Sequence, residues 1–207
     1  MNTTNKLKIV ALLLATAAPA AAIAESNFQT GSTALSATAK LDFQITIPKI
    51  LFLQVGTGAL YTNNTAVNLI SFTVPAANVG DGTAIAATAG SGDLGNGAVT
   101  AIVRGNNGTV TLNATASGAL GNGSGDSINY SDITTTPTAL AGYATLLNAP
   151  TLANGVSGTI TITPSGKVVN SGARWTYTYA NSAIAAPGTY GGVNVNNSRV
   201  TYTAAMP

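Results

Sequence analysis

The chain contains no cysteine and no histidine, and only 7% of its 207 residues are charged. Each absence removes a class of chemistry. Without histidine there is no Ser–His–Asp triad and no ordinary general base near neutral pH. Without cysteine or histidine there is no thiol nucleophile and no usual zinc or copper site. Without cysteine there is also no disulfide, so the fold must hold by core packing and hydrogen bonding. The six acids, Glu25, Asp42, Asp81, Asp93, Asp126 and Asp132, are scattered. A carboxylate pair of the glycosidase kind would have to be assembled from distant segments. The expectation is a non-enzyme with no cofactor and no metal centre.

The N-terminus reads as a leader. Lys6 and Lys8 form a positive start, Ile9 to Ala18 is apolar but too short to span a membrane, and Ala22-Ile23-Ala24 is an A-x-A cleavage signal. A signal peptide over 1–24 is expected, and removing 24 of 207 residues leaves 183, enough for one sizeable core. Lys6 and Lys8 leave with the leader, which brings eight cations down to six against six acids. The basic pI of the full sequence is partly a property of the leader. No nucleic-acid or anionic-membrane partner is expected, and no later segment reads as a helical membrane insertion.

The most patterned stretch runs from Leu35 to Ile47. Its odd positions, Leu35, Ala37, Ala39, Leu41, Phe43, Ile45 and Ile47, are all apolar. Its even positions, Ser36, Thr38, Lys40, Asp42, Gln44 and Thr46, are all polar. Strict alternation describes an extended segment with one face for a core and one for water. At about 3.3 Å per residue it would span roughly 43 Å, about twice a typical strand. A strand of that length can serve its own domain with one half and a neighbour with the other. It can also be the long first strand of a self-contained sandwich.

Further strands are expected at Ile50–Val55, buried on both faces or crossing between sheets, and at Val67–Val74, 127–133, Val156–Thr163, Arg174–Ala180 and 199–204. Two more, Ala98–Arg104 and Thr109–Ala116, are expected to form a hairpin across Gly105-Asn106-Asn107-Gly108. Trp175, Tyr177 and Tyr179 share one face of their strand and should lie at the core or a sheet rim. Val200 and Tyr202 share a face of theirs. Only Ala139–Leu147 has some helical character. Short strands separated by Gly, Asn and Pro turns mean an all-β protein, a β-sandwich or related barrel. Few charges and many neutral polar residues favour association between molecules.

Two motif matches lack their context. Gly90-Ser91-Gly92-Asp93-Leu94-Gly95 fits G-x-G-x-x-G, but a strand follows where a dinucleotide site needs a helix. Gly121-Asn122-Gly123-Ser124-Gly125-Asp126 is like a calcium β-roll repeat but occurs once. Calcium at the loops of Asp81, Asp93 or Asp126 is left open.

The leader, the polar stretch after it, the alternating Thr38–Pro48 segment, Ser131-Asp132-Ile133-Thr134-Thr135, Trp175-Thr176-Tyr177, Pro187-Gly188-Thr189-Tyr190 and the strand Arg199-Val200-Thr201-Tyr202-Thr203-Ala204 together form a recognisable set. In these features the chain resembles a fimbrial subunit of the chaperone–usher type, and more narrowly the Cys-less FilA-type pilus proteins of Gram-negative bacteria. It differs from the best-known pilins in lacking their disulfide pair. The resemblance implies an immunoglobulin-like β-sandwich that lacks its last strand and is completed by strand donation. It implies a donor arm over 25–38, with Phe28, Leu35 and Ala37 as pocket residues, and a pilin domain over 39–207. Leu41, Phe43, Ile45 and Ile47 would belong to that domain's first strand, and Val200 and Tyr202 to a C-terminal strand bordering the groove. It further implies export through the periplasm to the cell surface, a periplasmic chaperone, an outer-membrane usher and a homopolymer serving adhesion or biofilm formation. The alternative is a self-complete secreted β-sandwich acting as an adhesin or surface-coat binding module.

Overall fold

The computed structural model describes residues 26–207; the expected signal peptide over 1–24 and Glu25 lie outside the described residues. The chain divides into two units, the first ending at Ile47 and the second running from Pro48 to Pro207. Among the described residues there is no α-helix, and regular structure consists of strands with two short 3-10 turns.

The second unit is built on β-branched and aromatic runs whose alternate residues share a face. Its strands are β1 (Leu51–Val55), β2 (Ile85–Ala86), β3 (Ala98–Gly105), β4 (Val110–Ala116), β5 (Leu120–Gly121), β6 (Ser127–Ile128), β7 (Ile133–Ala139), β8 (Thr145–Leu146), β9 (Ile160–Ile162), β10 (Val169–Tyr179) and β11 (Val200–Ala205). In the first sheet β3 lies between β1 and β10, antiparallel to both, with Leu51 and Val169 each facing Gly105. On its far side β10 pairs antiparallel with β7 and, for two residues, parallel with β8; β2 pairs its last two residues. Pro137 sits in β7, which has no strand on its outer side among the described residues, so its missing N–H leaves no ladder bond unmade. The second sheet has β4 between β11 and β9, and β5 and β6 form a separate ribbon.

Both sheets feed one core. From the first come Val99, Ala101, Val103, Val169, Ala173, Trp175 and Tyr177; from the second, Val110, Leu112, Ala114, Ala116 and Ile162. Several antiparallel sheets sharing a core make an all-β arrangement compatible with a β-sandwich. Trp175 is fully buried, and its indole Nε1 donates to the Leu147 carbonyl at 2.7 Å, so the one polar atom of the ring is satisfied. Two ties cross between the sheets. The Tyr177 and Tyr202 hydroxyls hydrogen-bond at 2.9 Å, and the Trp175 and Tyr202 rings lie 5.4 Å apart.

Several expectations are corrected. The strands at Ala98–Arg104 and Thr109–Ala116 exist, but they are not a hairpin: β3 and β4 belong to different sheets. Both edges of β3 are already occupied, and the connection instead crosses the sandwich edge. There Gly108 N–H donates to the Lys167 carbonyl, Asn106 Oδ1 accepts from Ile50 N–H and Asn106 Nδ2 donates to the Pro48 carbonyl. Ile50–Val55 shortens to β1, an edge strand with Leu53 and Val55 against the core rather than a strand buried on both faces. Val67–Val74 contributes only a bridge from Phe72 to Ala87. The Ser127–Ile133 strand is broken by a 3-10 turn at Tyr130–Asp132. Val156–Thr163 reduces to β9 plus one bridge at Val156. Ala139–Leu147 is turn and short strand, not helix. By contrast the aromatic strand is longer than expected, eleven residues, with Trp175, Tyr177 and Tyr179 all buried on one face.

Trp175→Ala is expected to lower the unfolding free energy by about 3–5 kcal/mol. Trp175→Phe, which keeps most of the volume but strands the Leu147 carbonyl, should cost about 1–3 kcal/mol. Urea denaturation followed by circular dichroism reads both; a negligible loss for Trp175→Ala would show that the two sheets do not depend on this contact.

Candidate assembly site

Within the second unit, each of the two larger sheets ends on a strand that is paired on one side only. Among the described residues β1 pairs with β3 alone and β11 with β4 alone. Both edge strands keep an apolar inner face. In β11 and just beyond it, Val200, Tyr202, Ala204 and Met206 are half-buried and packed against the core, while Thr201, Thr203 and Ala205 are exposed. Leu53 and Val55 do the same in β1. The end of β11 meets the start of β1. The Lys49 ammonium and the Asn107 amide both donate to the Pro207 carbonyl, and a Cβ placed on Gly105 would come within 2.9 Å of Met206 Sδ. From that junction the two strand edges lie open along sheets that share a core. An edge of this kind offers unpaired N–H and C=O groups beside incompletely covered apolar side chains, which is a template for an added strand.

Tyr202 anchors this edge. Burial pushes its phenol up to about 12, partly offset by the hydrogen bond with Tyr177. Burial also pushes Tyr130 up to about 12, with the neighbouring Tyr202 adding to it, and the Tyr130 hydroxyl donates to the Asn197 carbonyl just before β11.

The first unit, over its described residues 26–47, forms no strand pairing, bends at Ser32–Thr33 and is exposed throughout. Phe28 is 88% exposed and Leu35 is 50% exposed; Ala37 is exposed as well. Leu41, Phe43, Ile45 and Ile47 are 73–86% exposed. This corrects the expectation that these four form the domain's own first strand. The first paired strand begins at Leu51, beyond Pro48. The alternation is real, and over the described residues its apolar positions are exposed. An isolated large apolar residue at a surface is ordinary; four in strict alternation on one unpaired segment are not.

The acidic loops are closed by their own neighbours. The Asp81 carboxylate accepts from Asn78 Nδ2 at 2.9 Å, Thr83 N–H at 2.7 Å and Asn181 Nδ2 at 3.3 Å, and the Asn78 and Thr83 bonds hold its pKa below the ordinary value. Asp93 accepts from Thr100 N–H at 2.9 Å and Asp126 from Asn122 Nδ2 at 2.9 Å. No group of three metal-ligating side chains occurs among the described residues. Sequence reading missed Asn181, a buried residue with φ of 51°. Its side chain donates to the Asn78 and Thr83 carbonyls and accepts from Gly80 N–H, which shapes the whole 78–83 loop. An Asn in a sequence rich in Asn carries no signal that would single it out.

No family model matches the chain, and no curated protein or solved structure matches it either.

Trypsin should cut first after Lys40, an exposed site ahead of the first strand, and leave a folded product beginning at Leu41. Arg104 and Arg174, held in β3 and β10, should be cut later. Mass spectrometry of a time course reads the order, and early protection of Lys40 would mean that the segment is paired in solution. A second expectation concerns pH. The fold favours the neutral phenols of Tyr130 and Tyr202, so their contribution is full below the ordinary value of 10.0 and is lost as pH rises to about 12, levelling off beyond. Urea midpoints between pH 9 and pH 12 test this, and Tyr202→Phe should flatten part of the slope.

Proposed function

We propose that the chain is a structural subunit of a surface pilus of the chaperone–usher type. In this reading the second unit is an immunoglobulin-like sandwich lacking its last strand. It polymerises head-to-tail when the N-terminal segment of one copy completes the open edge of another. The observation that carries the reading is a match of two alternations. Leu41, Phe43, Ile45 and Ile47 are exposed and unpaired, while Val200, Tyr202, Ala204 and Met206 line a strand edge with no second partner.

Size decides the register. Antiparallel to β11, the donor would set Leu41 against Met206, Phe43 against Ala204, Ile45 against Tyr202 and Ile47 against Val200. The largest donor side chain then meets the smallest acceptor. A parallel donor in the same frame would set Phe43 against Tyr202, two large rings at one position, with Ile45 over Ala204. The donor arm therefore extends to Ile47 rather than ending at Thr38, and Phe28, Leu35 and Ala37 lie outside its main apolar block. Burying four such side chains in a neighbour is worth roughly 6–12 kcal/mol before the cost of ordering the arm. Main-chain bonds along β11 add to it. The contact joins different surfaces of the two copies, so it does not close and extends as a filament.

Before assembly the same edge needs cover, which is the role of a periplasmic chaperone, with an outer-membrane usher exchanging one strand for the other. The leader and the near-neutral charge of the mature sequence agree with this placement at the cell surface. The self-complete secreted adhesin or coat protein fits less well, because it calls for the 35–47 segment to be paired within its own chain.

The test is a cysteine pair. Phe43→Cys with Ala204→Cys should link subunits into a covalent ladder on oxidation, whereas Phe43→Cys with Val200→Cys should not. A chain lacking 26–47 should fold, by circular dichroism, yet form no ladder on an unboiled denaturing gel. A ladder that survives that deletion would sink the arm-donation reading.

A further inference from the structure

The outward face of the first sheet carries a second arrangement, on the side away from the shared core. Arg104 lies on the side of β3 opposite Val99, Ala101 and Val103, between Phe52 on β1 and Asn170 on β10. Two tyrosines from loops flank its guanidinium. The Tyr61 ring centre is 5.6 Å from Arg104 Cζ and the Tyr143 ring centre 5.4 Å. Arg104 Nη1 donates to the Tyr61 hydroxyl at 3.2 Å, and Phe52 packs against Tyr61 with ring centroids 5.6 Å apart.

This arrangement is held at a cost. Tyr61 has φ of 59°, a left-handed backbone that a bulky aromatic rarely adopts. Tyr143 lies so close over β10 that a Cβ on Gly172 would come within 2.4 Å of its ring, so only glycine admits it. Arg104 Nε and Asn170 Oδ1, on facing residues of β3 and β10, are shielded from solvent and have no hydrogen-bond partner. Buried polar atoms without partners are uncommon in folded proteins and call for a physical reason. Arg104 also has no carboxylate among its hydrogen-bond partners, in a domain with few charges of either sign.

We propose that this cluster is a binding site for a carboxylated sugar. Aromatic rings already flank the guanidinium, so the capacity left to it is its N–H groups. Those match a planar carboxylate in paired, charge-assisted bonds. Tyr61 is 59% exposed and can offer ring surface to the C–H side of a pyranose. Asn170 Oδ1 is an acceptor still lacking a donor, and Arg104 Nε, on the facing residue of β3, supplies one once the ligand reorients the guanidinium. A single cation beside aromatic and neutral polar groups suits one acidic sugar better than a polyanion. The inference does not depend on the filament reading.

The test is a titration of the purified full chain, followed by amide chemical shifts, with sodium glucuronate, glucose, acetate and inorganic phosphate as separate probes. Glucuronate should bind saturably, about tenfold or more tighter than glucose or acetate, with shifts centred on Tyr61, Arg104 and Asn170. Arg104→Lys should weaken it about tenfold, because an ammonium keeps the charge but loses the planar fork. Tyr61→Phe should bind within a few-fold of the parent and Tyr61→Ala far more weakly. Tyr61 is exposed on a loop, so these two variants decide the matter if Arg104→Lys does not fold. No saturable shift with glucuronate overturns the proposal. So does phosphate or acetate binding as tightly as glucuronate, which would make this a bare anion site.

Discussion

Backbone hydrogen bonding along β11 is the constraint on which the rest of the structure turns. A strand paired on one side and packed on the core with its inner face is only half satisfied. Its outer N–H and C=O groups must find water or another strand. Within β11 itself there is no charged residue and no proline, two of the usual protections of an edge. The fold holds the edge in place through the Tyr177–Tyr202 hydroxyl bond and the tilted ring contact of Tyr202 with Trp175, so that the strand stays ordered while one side is open. With no disulfide to clamp the sheets, these aromatic ties and the small-residue core of Ala101, Ala114, Ala116 and Ala173 carry the registration between layers.

The low charge of the chain has a local counterpart. Its loops are closed by neutral amides and by carboxylates used as hydrogen-bond acceptors. Asn181 organises 78–83, Asn106 fixes the crossing between β3 and β4, and Asn122 with Asp126 closes the loop between β5 and β6. Asn and Asp tolerate left-handed backbone and bond to nearby main chain, which is why they stand where a lysine or glutamate would give only solvation. Asp81, Asp93 and Asp126 are thereby occupied with structure, whereas Arg104 is flanked by rings instead.

How far the sequence could be read depended on the range of the signal. Period-two alternation located the cores of β3, β4, β10 and β11 to within a few residues, and the Trp175–Tyr177–Tyr179 face was buried as its pattern required. Other segments were misjudged: Val67–Val74, and even the clearly alternating Val156–Thr163, lost most of their strand because edge pairing, not local preference, decides such cases. The clamp at Arg104 was invisible, since Tyr61, Tyr143 and Asn170 are far apart in the chain and individually unremarkable.

By itself the sequence determined the all-β class, the absence of thiol and imidazole chemistry, and the need of Leu35–Ile47 for an apolar surface. These are local properties, set by side-chain type and by the two-residue period of a strand. Only the tertiary structure decided that β3 and β4 part into different sheets, that β1 and β11 are left as edges among the described residues, and that Leu41, Phe43, Ile45 and Ile47 are exposed outside any strand. Alternation states that a face must be covered and is silent about what covers it. That is settled by which strand edges remain open once every other backbone bond in the fold has been made.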